Sequence, residues 1–184
     1  MDLQTLINAA SDCTGLKAIP SLLPLCADKD AVLLDVPSYS QCDDFSCGAI
    51  AAWSVVETFR PRANFAKFYD LVRPEPGVGV GPRRVRAALK KFRIGTRLQT
   101  RMDWKDITKN IDAGFPMLVG TGHEFDDDGM QGDHWSVLLG YLARPRQIYL
   151  GNQPGILRNQ VVLDWADFLK EWNPKGKAIA CWGT

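Results

Sequence analysis

The sequence has little net charge and no long hydrophobic run. Its 184 residues include 22 lysines and arginines and 21 aspartates and glutamates, which leaves a formal net charge of +1. A chain this close to neutral lacks the overall field that attracts nucleic acid or an anionic membrane. No segment approaches the roughly 18 apolar residues that a membrane span requires. The basic cluster at 83–93 is without the repeated aromatic interleaving of a nucleic-acid platform and is interpreted as a solvated helix face. We therefore expect neither nucleic acid nor a membrane as a partner.

The first residues of the sequence do not predict a secretion signal. Residues 1–13 show neither the basic n-region nor the continuous apolar h-region of a signal peptide. Hydrophobic residues make up 46% and charged residues 23% of the chain, which is typical of globular proteins. We expect a soluble protein that is cytoplasmic, or that is exported without a cleavable signal peptide.

The five cysteines show no paired spacing. No two of them form a CxxC motif, so the sequence indicates neither a zinc site nor a dithiol redox motif. An odd number of irregularly spaced cysteines is typical of reduced thiols in a cytosol. A disulfide between Cys42 and Cys47 would need a sharp bend in a segment without glycine, and we do not expect one. No metal and no organic cofactor is predicted.

Hydrophobic patterning predicts helices in the first half of the chain and mainly strands in the second. Helices are predicted at 2–10, 17–26, 47–59, 63–72, 83–92, 104–113 and 164–172. Strands are predicted at 31–36, 98–102, 116–122, 134–142, 146–152 and 178–183. The helix 47–59 is apolar almost all the way round, which indicates a helix buried in the middle of a domain. Segregated helices and strands predict an α+β fold with a largely antiparallel sheet.

A chain of this length is typical of one domain. We expect a single domain over residues 1–184, with a helical lead-in at 1–30. A helical half that contains Cys47 would follow at 31–94, and a sheet half that contains His134 and Asn152 at 95–184. No feature of the sequence indicates an oligomeric state.

Cys47 begins the helix 47–59, and this position suits a nucleophile. Unpaired backbone N–H groups and the dipole at a helix N-terminus favour a negative charge, so a thiolate would be stabilised there. Ser46 is a preferred helix cap, and Gly48 leaves room for a substrate carbonyl. Most free cysteines are buried and have no chemical function. The neighbours of Cys47 favour a nucleophile over that alternative.

Gln41 lies six residues before Cys47, on the loop that enters the helix. Its side-chain NH₂ can point at the same place as the backbone N–H of Cys47, and the pair would then form an oxyanion hole. An ordinary surface glutamine is the alternative. The spacing from Cys47 favours the oxyanion hypothesis.

The two histidines of the chain are the candidates for a general base. Imidazole is the usual partner that converts a thiol to a thiolate near neutral pH. His134 opens a predicted strand that would hold the ring rigidly, whereas His123 precedes an acidic loop and should be mobile. A base must stay within hydrogen-bond reach, so we predict His134 as the base. A histidine with a structural role at a strand edge is the alternative.

Asn152 ends the predicted strand 146–152, which would form a hairpin with the strand of His134. Such a hairpin brings Asn152 close to the imidazole. Its side-chain oxygen would then accept from a ring N–H and fix the tautomer, as the third member of a triad does. A turn residue without a catalytic role is the alternative.

Together these segments resemble the papain-like cysteine peptidases. Within that group they are similar to a bacterial branch, the double-glycine leader peptidases of bacteriocin exporters. The resemblance lies in VPSYSQCDDFSCGAIAA, GDHWSVLLGY and YLGNQPG, and it covers residues 36–155. It implies Gln41 for the oxyanion hole and Cys47 as nucleophile. It also implies His134 as base and then acid, Asn152 as the orienting residue, and the papain-like fold.

The sequence departs from the leader-peptidase branch at the third triad position. That branch generally has aspartate there, whereas Asn152 resembles papain itself. Asp164 and Asp133 are alternative third members. The chain also lacks the membrane span and the ATPase of the exporters, so cleavage of double-glycine leaders does not follow from the resemblance.

The predicted function is hydrolysis of an amide bond in a peptide or protein substrate through a covalent acyl-enzyme. Glu124 and the aspartates 126–128 are hypothesised to form a rim that favours basic substrates, with an ordinary solvated run as the alternative. Two other functions use the same residues. One is acyl transfer to an amine, of the transglutaminase type, and the other is a catalytically silent module that binds peptides. A further hypothesis is that the protein is a toxin or effector that acts as the same cysteine hydrolase.

Overall fold

The computed structural model describes residues 30–39, 41, 43–125, 130–152, 160–172 and 177–184. In these ranges the helices are α1 (Cys47–Phe59), α2 (Phe65–Val72), α3 (Pro82–Lys91), α4 (Trp104–Asp112) and α5 (Trp165–Glu171). The strands are β1 (Ala31–Leu33), β2 (Ile94–Gln99), β3 (Met117–Phe125), β4 (Met130–Leu142), β5 (Gln147–Gly151), β6 (Gln160–Asp164) and β7 (Ala178–Gly183). None of the described helices is long and apolar enough to cross a lipid bilayer.

The strands form one sheet in the order β2-β7-β3-β4-β5-β6. Strand β1 lies outside this order and pairs with the C-terminal end of β4. Every pairing of these strands is antiparallel. The predicted α+β fold with a largely antiparallel sheet is therefore confirmed. Strand β1 pairs with β4 through Leu33 and Gly140, so a segment of the predicted helical half contributes to the sheet.

Helices cover both faces of this sheet. Successive side chains of a strand point to opposite faces. Leu118, Val137 and Tyr149 accordingly pack with α1, α2 and α3 in one apolar cluster. Met117 and Leu138, one position away in their strands, pack with α4 and α5 in a second cluster. The two clusters form separate cores on either side of the sheet.

Helix α1 lies in the first core and is buried from Cys47 to Val56. Val55 and Val56 are fully buried, and each such side chain contributes about 1.5–3 kcal/mol. Trp53 packs against the rings of Phe65 and Phe68 in α2, with centroid distances of 5.2 and 5.8 Å. This packing confirms the predicted buried helix and fixes the position of Cys47 at its N-terminus.

Several predicted boundaries agree with the structure and others do not. The bounds of α1 and β7 are those predicted. Strand β2 was predicted four residues too late, at 98–102, because Gly95 lowers the apparent strand propensity of its first residues. Strand β6 was missed, although its two adjacent valines are typical of a strand. The predicted helices at 2–10 and 17–26 lie outside the described residues, as do Cys13, Cys26, Cys42 and residues 126–128.

Candidate active site

Cys47 is the first residue of α1 and is a free thiol, with 5% of the residue exposed. Burial raises the pKa of the thiol above its ordinary value, and this is the largest effect on it. Hydrogen bonds from the backbone N–H groups of Trp135 and Gly48 lower the pKa, but they offset the burial only in part. The predicted stabilisation of a thiolate by backbone N–H groups at the helix N-terminus is therefore present, but burial outweighs it.

Asp43 organises the turn that leads into α1. Its carboxylate accepts from the backbone N–H groups of Phe45 and Ser46, at 3.0 and 2.6 Å. Its charge further raises the pKa of the Cys47 thiol. Ser46 occupies the N-cap position of α1, as predicted, but its buried side chain makes no capping hydrogen bond to the helix. Asp43 was not predicted, although an aspartate shortly before a helix is a typical turn-forming residue.

Gln41 is linked to the same turn. Its Nε2 donates to the backbone carbonyl of Asp43 at 2.7 Å. An amide nitrogen has two hydrogens, so this bond leaves one for another acceptor. Its Oε1 is buried and has no hydrogen-bond partner among the described residues. The contact fixes the orientation of the amide, while its convergence with the Cys47 N–H stays a prediction.

Gly48 is required by packing around Trp135. A Cβ at this position would lie 2.5 Å from Cγ1 of Val80 and 3.0 Å from Cδ1 of Trp135. The Trp135 indole also donates to the carbonyl of Val80 at 3.1 Å. The space beside Gly48 is therefore filled by protein side chains. The prediction that it admits a substrate carbonyl is wrong, because the sequence does not show which side chains pack there.

His134 lies in β4 and is buried, with 4% of the residue exposed. Its Nε2 lies 2.6 Å from the backbone carbonyl oxygen of Asn152. A carbonyl oxygen can only accept, so Nε2 carries the proton in this hydrogen bond. In the neutral ring, Nδ1 is then the nitrogen whose lone pair can accept a proton. The arrangement suits a base that acts through Nδ1.

The side chain of Asn152 contacts both halves of the site. Its Nδ2 donates to the carbonyl of Cys47 and to the carbonyl of Trp135, each at 3.2 Å. Its Oδ1 is buried and has no hydrogen-bond partner in the described part of the chain. The prediction that the side-chain oxygen accepts from the imidazole is wrong, because the main-chain carbonyl of the same residue occupies that place. The side-chain amide instead joins the start of α1 to β4.

The backbone of Asn152 is held in an unusual conformation. Its φ of 63° lies in the left-handed region, where asparagine is tolerated better than most residues. Its N–H donates to the buried hydroxyl of Ser38 at 2.9 Å. A Cβ on the preceding Gly151 would lie 2.9 Å from that hydroxyl oxygen, so glycine permits this approach. Together these contacts aim the Asn152 carbonyl at the His134 ring.

The alternative residues occupy other places. His123 lies in β3, with its Cα opposite Gly132 in β4. Asp164 lies at the end of β6 and pairs with Gln147, at the other end of β5 from Asn152. It accepts there from the Gln147 side chain at 3.0 Å, which removes it as a third triad member. The side chain of Asp133 is not among the described ones.

The fold that positions these residues is a papain-like cysteine peptidase fold. The chain is similar to the peptidase domain of Streptococcus ComA, a bifunctional ABC transporter involved in quorum sensing. The two are 21% identical with a TM-score of 0.61, over 79% of this chain and 96% of that one. It is also similar to a C39-like peptidase from Bacillus anthracis, at 17% identity and a TM-score of 0.65, over 85% and 99% of the two chains.

A third similar structure is a double-glycine motif protease from an AMS/PCAT transporter, in complex with a leader peptide. It is 16% identical with a TM-score of 0.60, and the match covers 83% of this chain and 94% of that one. No protein-family model and no curated protein sequence matches the chain. These likenesses confirm, at the level of the fold, the resemblance to papain-like leader peptidases.

Proposed function

We propose that the protein is a cysteine peptidase or amidase with Cys47 as nucleophile and His134 as general base. The observation that carries this proposal is the pair of contacts made by Asn152. Its carbonyl holds the His134 ring, and its side-chain amide holds the carbonyl of Cys47, a residue 105 positions away in the sequence. Asn152 therefore holds the backbone of the Cys47 residue and the His134 ring in one place, and nucleophilic catalysis needs a base held near the thiol in this way.

The reaction begins with transfer of the Cys47 proton to Nδ1 of His134. The thiolate attacks the substrate carbonyl, and the resulting oxyanion is bound by the Cys47 N–H and by the second hydrogen of the Gln41 amide. His134 gives its proton to the leaving amine as the carbon–nitrogen bond breaks, which leaves an acyl-enzyme. It then takes a proton from water as the water oxygen attacks the acyl carbon. The carbon–sulfur bond breaks, the acid leaves, and the proton returns from His134 to the sulfur.

The raised pKa of Cys47 makes the role of His134 testable. A buried thiol at a helix N-terminus does not ionise by itself near neutral pH, because burial outweighs the local donors. Ionisation then depends on a cation beside the sulfur, and a protonated His134 supplies it. Reactivity of Cys47 below the pKa of a free thiol, about 8.5, therefore requires the pair.

The test is the alkylation of Cys47 by iodoacetamide between about pH 5 and 9, followed by peptide mass spectrometry. At about pH 6 a free thiol is ionised to roughly one part in 300, since its pKa is about 8.5. At this pH we expect Cys47 of the wild type to be alkylated at least about 30-fold faster than a free thiol with that ionised fraction. His134→Ala is expected to remove the advantage, because no cation then lies beside the sulfur.

Two internal controls accompany this experiment. His123→Ala removes the other histidine, which lies in β3, and is expected to leave the pH profile unchanged. Cys181 is fully buried in the first core, burial raises its pKa, and it should stay unlabelled. If Cys47 reacts like a free thiol in the wild type and in His134→Ala alike, the proposed pair does not exist.

A second pH experiment tests the effect of Asp43. Its negative charge disfavours the thiolate, so removing the charge should lower the pKa of Cys47. Asp43→Asn keeps a side-chain oxygen for the N–H groups of Phe45 and Ser46. We expect the alkylation profile of this variant to move to lower pH. Asp44→Asn, at an exposed neighbouring position, is the matched control and should show no displacement. A displacement to higher pH would contradict the assignment.

We further propose a peptide as the substrate. The support is the similar structure of a double-glycine motif protease with its leader peptide, together with the papain-like fold of this chain. Peptides with a double-glycine motif are thus the first to be tested. The two donors at Cys47 and Gln41 suit any amide carbonyl, so a wider peptide mixture belongs in the same experiment.

A further inference from the structure

A basic groove lies between α3 and β2. Its volume is about 830 Å³, and its lining includes Arg83, Arg86, Lys90, Arg93, Thr96 and Trp182. Arg83, Arg86 and Lys90 are spaced three and four residues apart, so they lie along one side of α3. The groove is therefore locally basic, although the formal net charge of the whole chain is only +1.

The cations of this groove are not neutralised by the described residues. No aspartate or glutamate lines the groove, and no ion pair within the described ranges involves Arg83, Arg86, Lys90 or Arg93. The neighbouring Arg84 is different, since it pairs with Glu75 at 2.8 Å. Arg86 is half-buried and donates from Nε to the hydroxyl of Thr96 at 3.3 Å, which fixes its position in the groove wall. Like charges held together favour an anionic occupant.

The groove continues towards the candidate active site. A second groove of about 510 Å³ shares Pro82, Arg83 and Ala87 with it and reaches Val80. The carbonyl of Val80 accepts from the Trp135 indole, and its side chain packs beside Gly48. A ligand that fills both grooves would therefore come close to the start of α1.

The second wall of the groove favours a peptide over a nucleic acid. Strand β2 is the end strand of the sheet, so its outer backbone groups have no strand partner among the described residues. An extended peptide binds such an edge through main-chain hydrogen bonds. Its alternate side chains then lie on one face of the sheet, and α3, which bears the cations, packs against β2. Only one aromatic ring, Trp182, lines this groove, which is too few for stacking successive bases.

We propose that this basic groove binds an extended acidic segment of the substrate, away from the bond that is cleaved. The assignment of that segment to the substrate rests on the proposed peptidase function. Binding of an acidic peptide to the groove does not rest on it. The two ideas can therefore fail separately, provided that binding is measured without catalysis.

The experiment uses the full chain with Cys47→Ala, so that no peptide is cleaved. The probe is a peptide of about eight residues that alternates glutamate and serine, and its control replaces each glutamate with glutamine. Affinity is measured by calorimetry, and the site is identified from the Trp182 indole N–H signal in NMR spectra. We expect the glutamate peptide to bind at least about fivefold more tightly than the glutamine peptide. Raising the salt from about 50 to 300 mM should weaken its binding.

Adjacent lysines provide a matched pair of variants. Lys90 lines the groove and Lys91 does not, although both are exposed in the last turn of α3. Lys90→Glu is expected to weaken binding of the glutamate peptide by about fivefold, and Lys91→Glu by less than about twofold. Equal losses in the two variants, or equal affinity for the two peptides, would overturn the proposal. Tighter, Lys90-dependent binding of a short oligothymidylate would assign the groove to nucleic acid instead.

The outcomes separate this proposal from the peptidase proposal. If acidic peptides bind the groove but Cys47 of the wild type is inert to alkylation, the protein has an acidic-peptide site without the proposed catalysis. If Cys47 is reactive but no acidic peptide binds the groove, the peptidase proposal stands and the proposed binding of an acidic substrate segment is wrong.

Discussion

Cys47→Ala is expected to lower peptide hydrolysis by at least about 10³-fold, because the acyl-enzyme cannot form without the thiolate. The measurement is mass spectrometry of a peptide mixture that includes peptides with a double-glycine motif, after incubation with each protein. The substitution removes only a sulfur from a buried position, so the fold should persist. Loss of turnover with retained peptide binding is the result that the proposed mechanism requires.

Cys181→Ala is the matched control for this experiment. Cys181 is also buried and also a free thiol, but it lies in β7 within the core. This variant should retain the wild-type rate, after allowance for any loss of stability. If the wild type cleaves no peptide and still binds peptides as Cys47→Ala does, the protein is a silent binding module, and the peptidase proposal is wrong.

Asn152→Asp is expected to destabilise the protein by about 3 kcal/mol or more at neutral pH. The side-chain Nδ2 of Asn152 donates to the carbonyls of Cys47 and Trp135, and a carboxylate would put an oxygen against these two acceptors. Asn152→Gly removes the side chain and keeps a residue that tolerates a φ of 63°. We expect this second variant to lose only about 1–2 kcal/mol. Both values are read from urea unfolding.

The pH dependence of Asn152→Asp checks the cause of this loss. Burial raises the pKa of the new carboxyl in the folded state above its unfolded value of about 3.9. Such a group stabilises the fold at low pH, and the stability is lost as the pH rises through the folded pKa. The deficit relative to the wild type should therefore shrink between about pH 7.5 and 4.5. An Asn152→Asp protein as stable as Asn152→Gly at pH 7.5 would show that the side-chain oxygen, and not the nitrogen, faces these carbonyls.

This prediction separates the chain from the pattern of the leader peptidases that it resembles. The triad predicted from the sequence has a third member that accepts from the histidine through a side-chain oxygen. Here the main-chain carbonyl of Asn152 accepts from the ring, at 2.6 Å, and the side chain is used for another purpose. A third member that accepts through a side-chain oxygen tolerates aspartate in place of asparagine. The arrangement of Asn152 in this chain should not tolerate that exchange.

Local features of the sequence determined much of the fold. The apolar residues of the segment 47–59 and the proline at 61 predicted α1 with its observed bounds, because helix formation depends on residues a few positions apart. The apolar run 178–183 likewise predicted β7 with its observed bounds. The order of Gln41, Cys47, His134 and Asn152 also indicated the class of fold before any contact was known.

Tertiary structure alone decided which atoms meet. The left-handed backbone of Asn152 and its bond to Ser38 aim its carbonyl at His134, which no local pattern of the sequence reveals. Gly48 gives space to Trp135 rather than to a substrate, because β4 and the loop at Val80 both pack against α1. The basic residues of α3 line a groove only because β2 lies beside them at the edge of the sheet. Strand register and side-chain packing join residues far apart in the chain, so these contacts follow from the assembled fold.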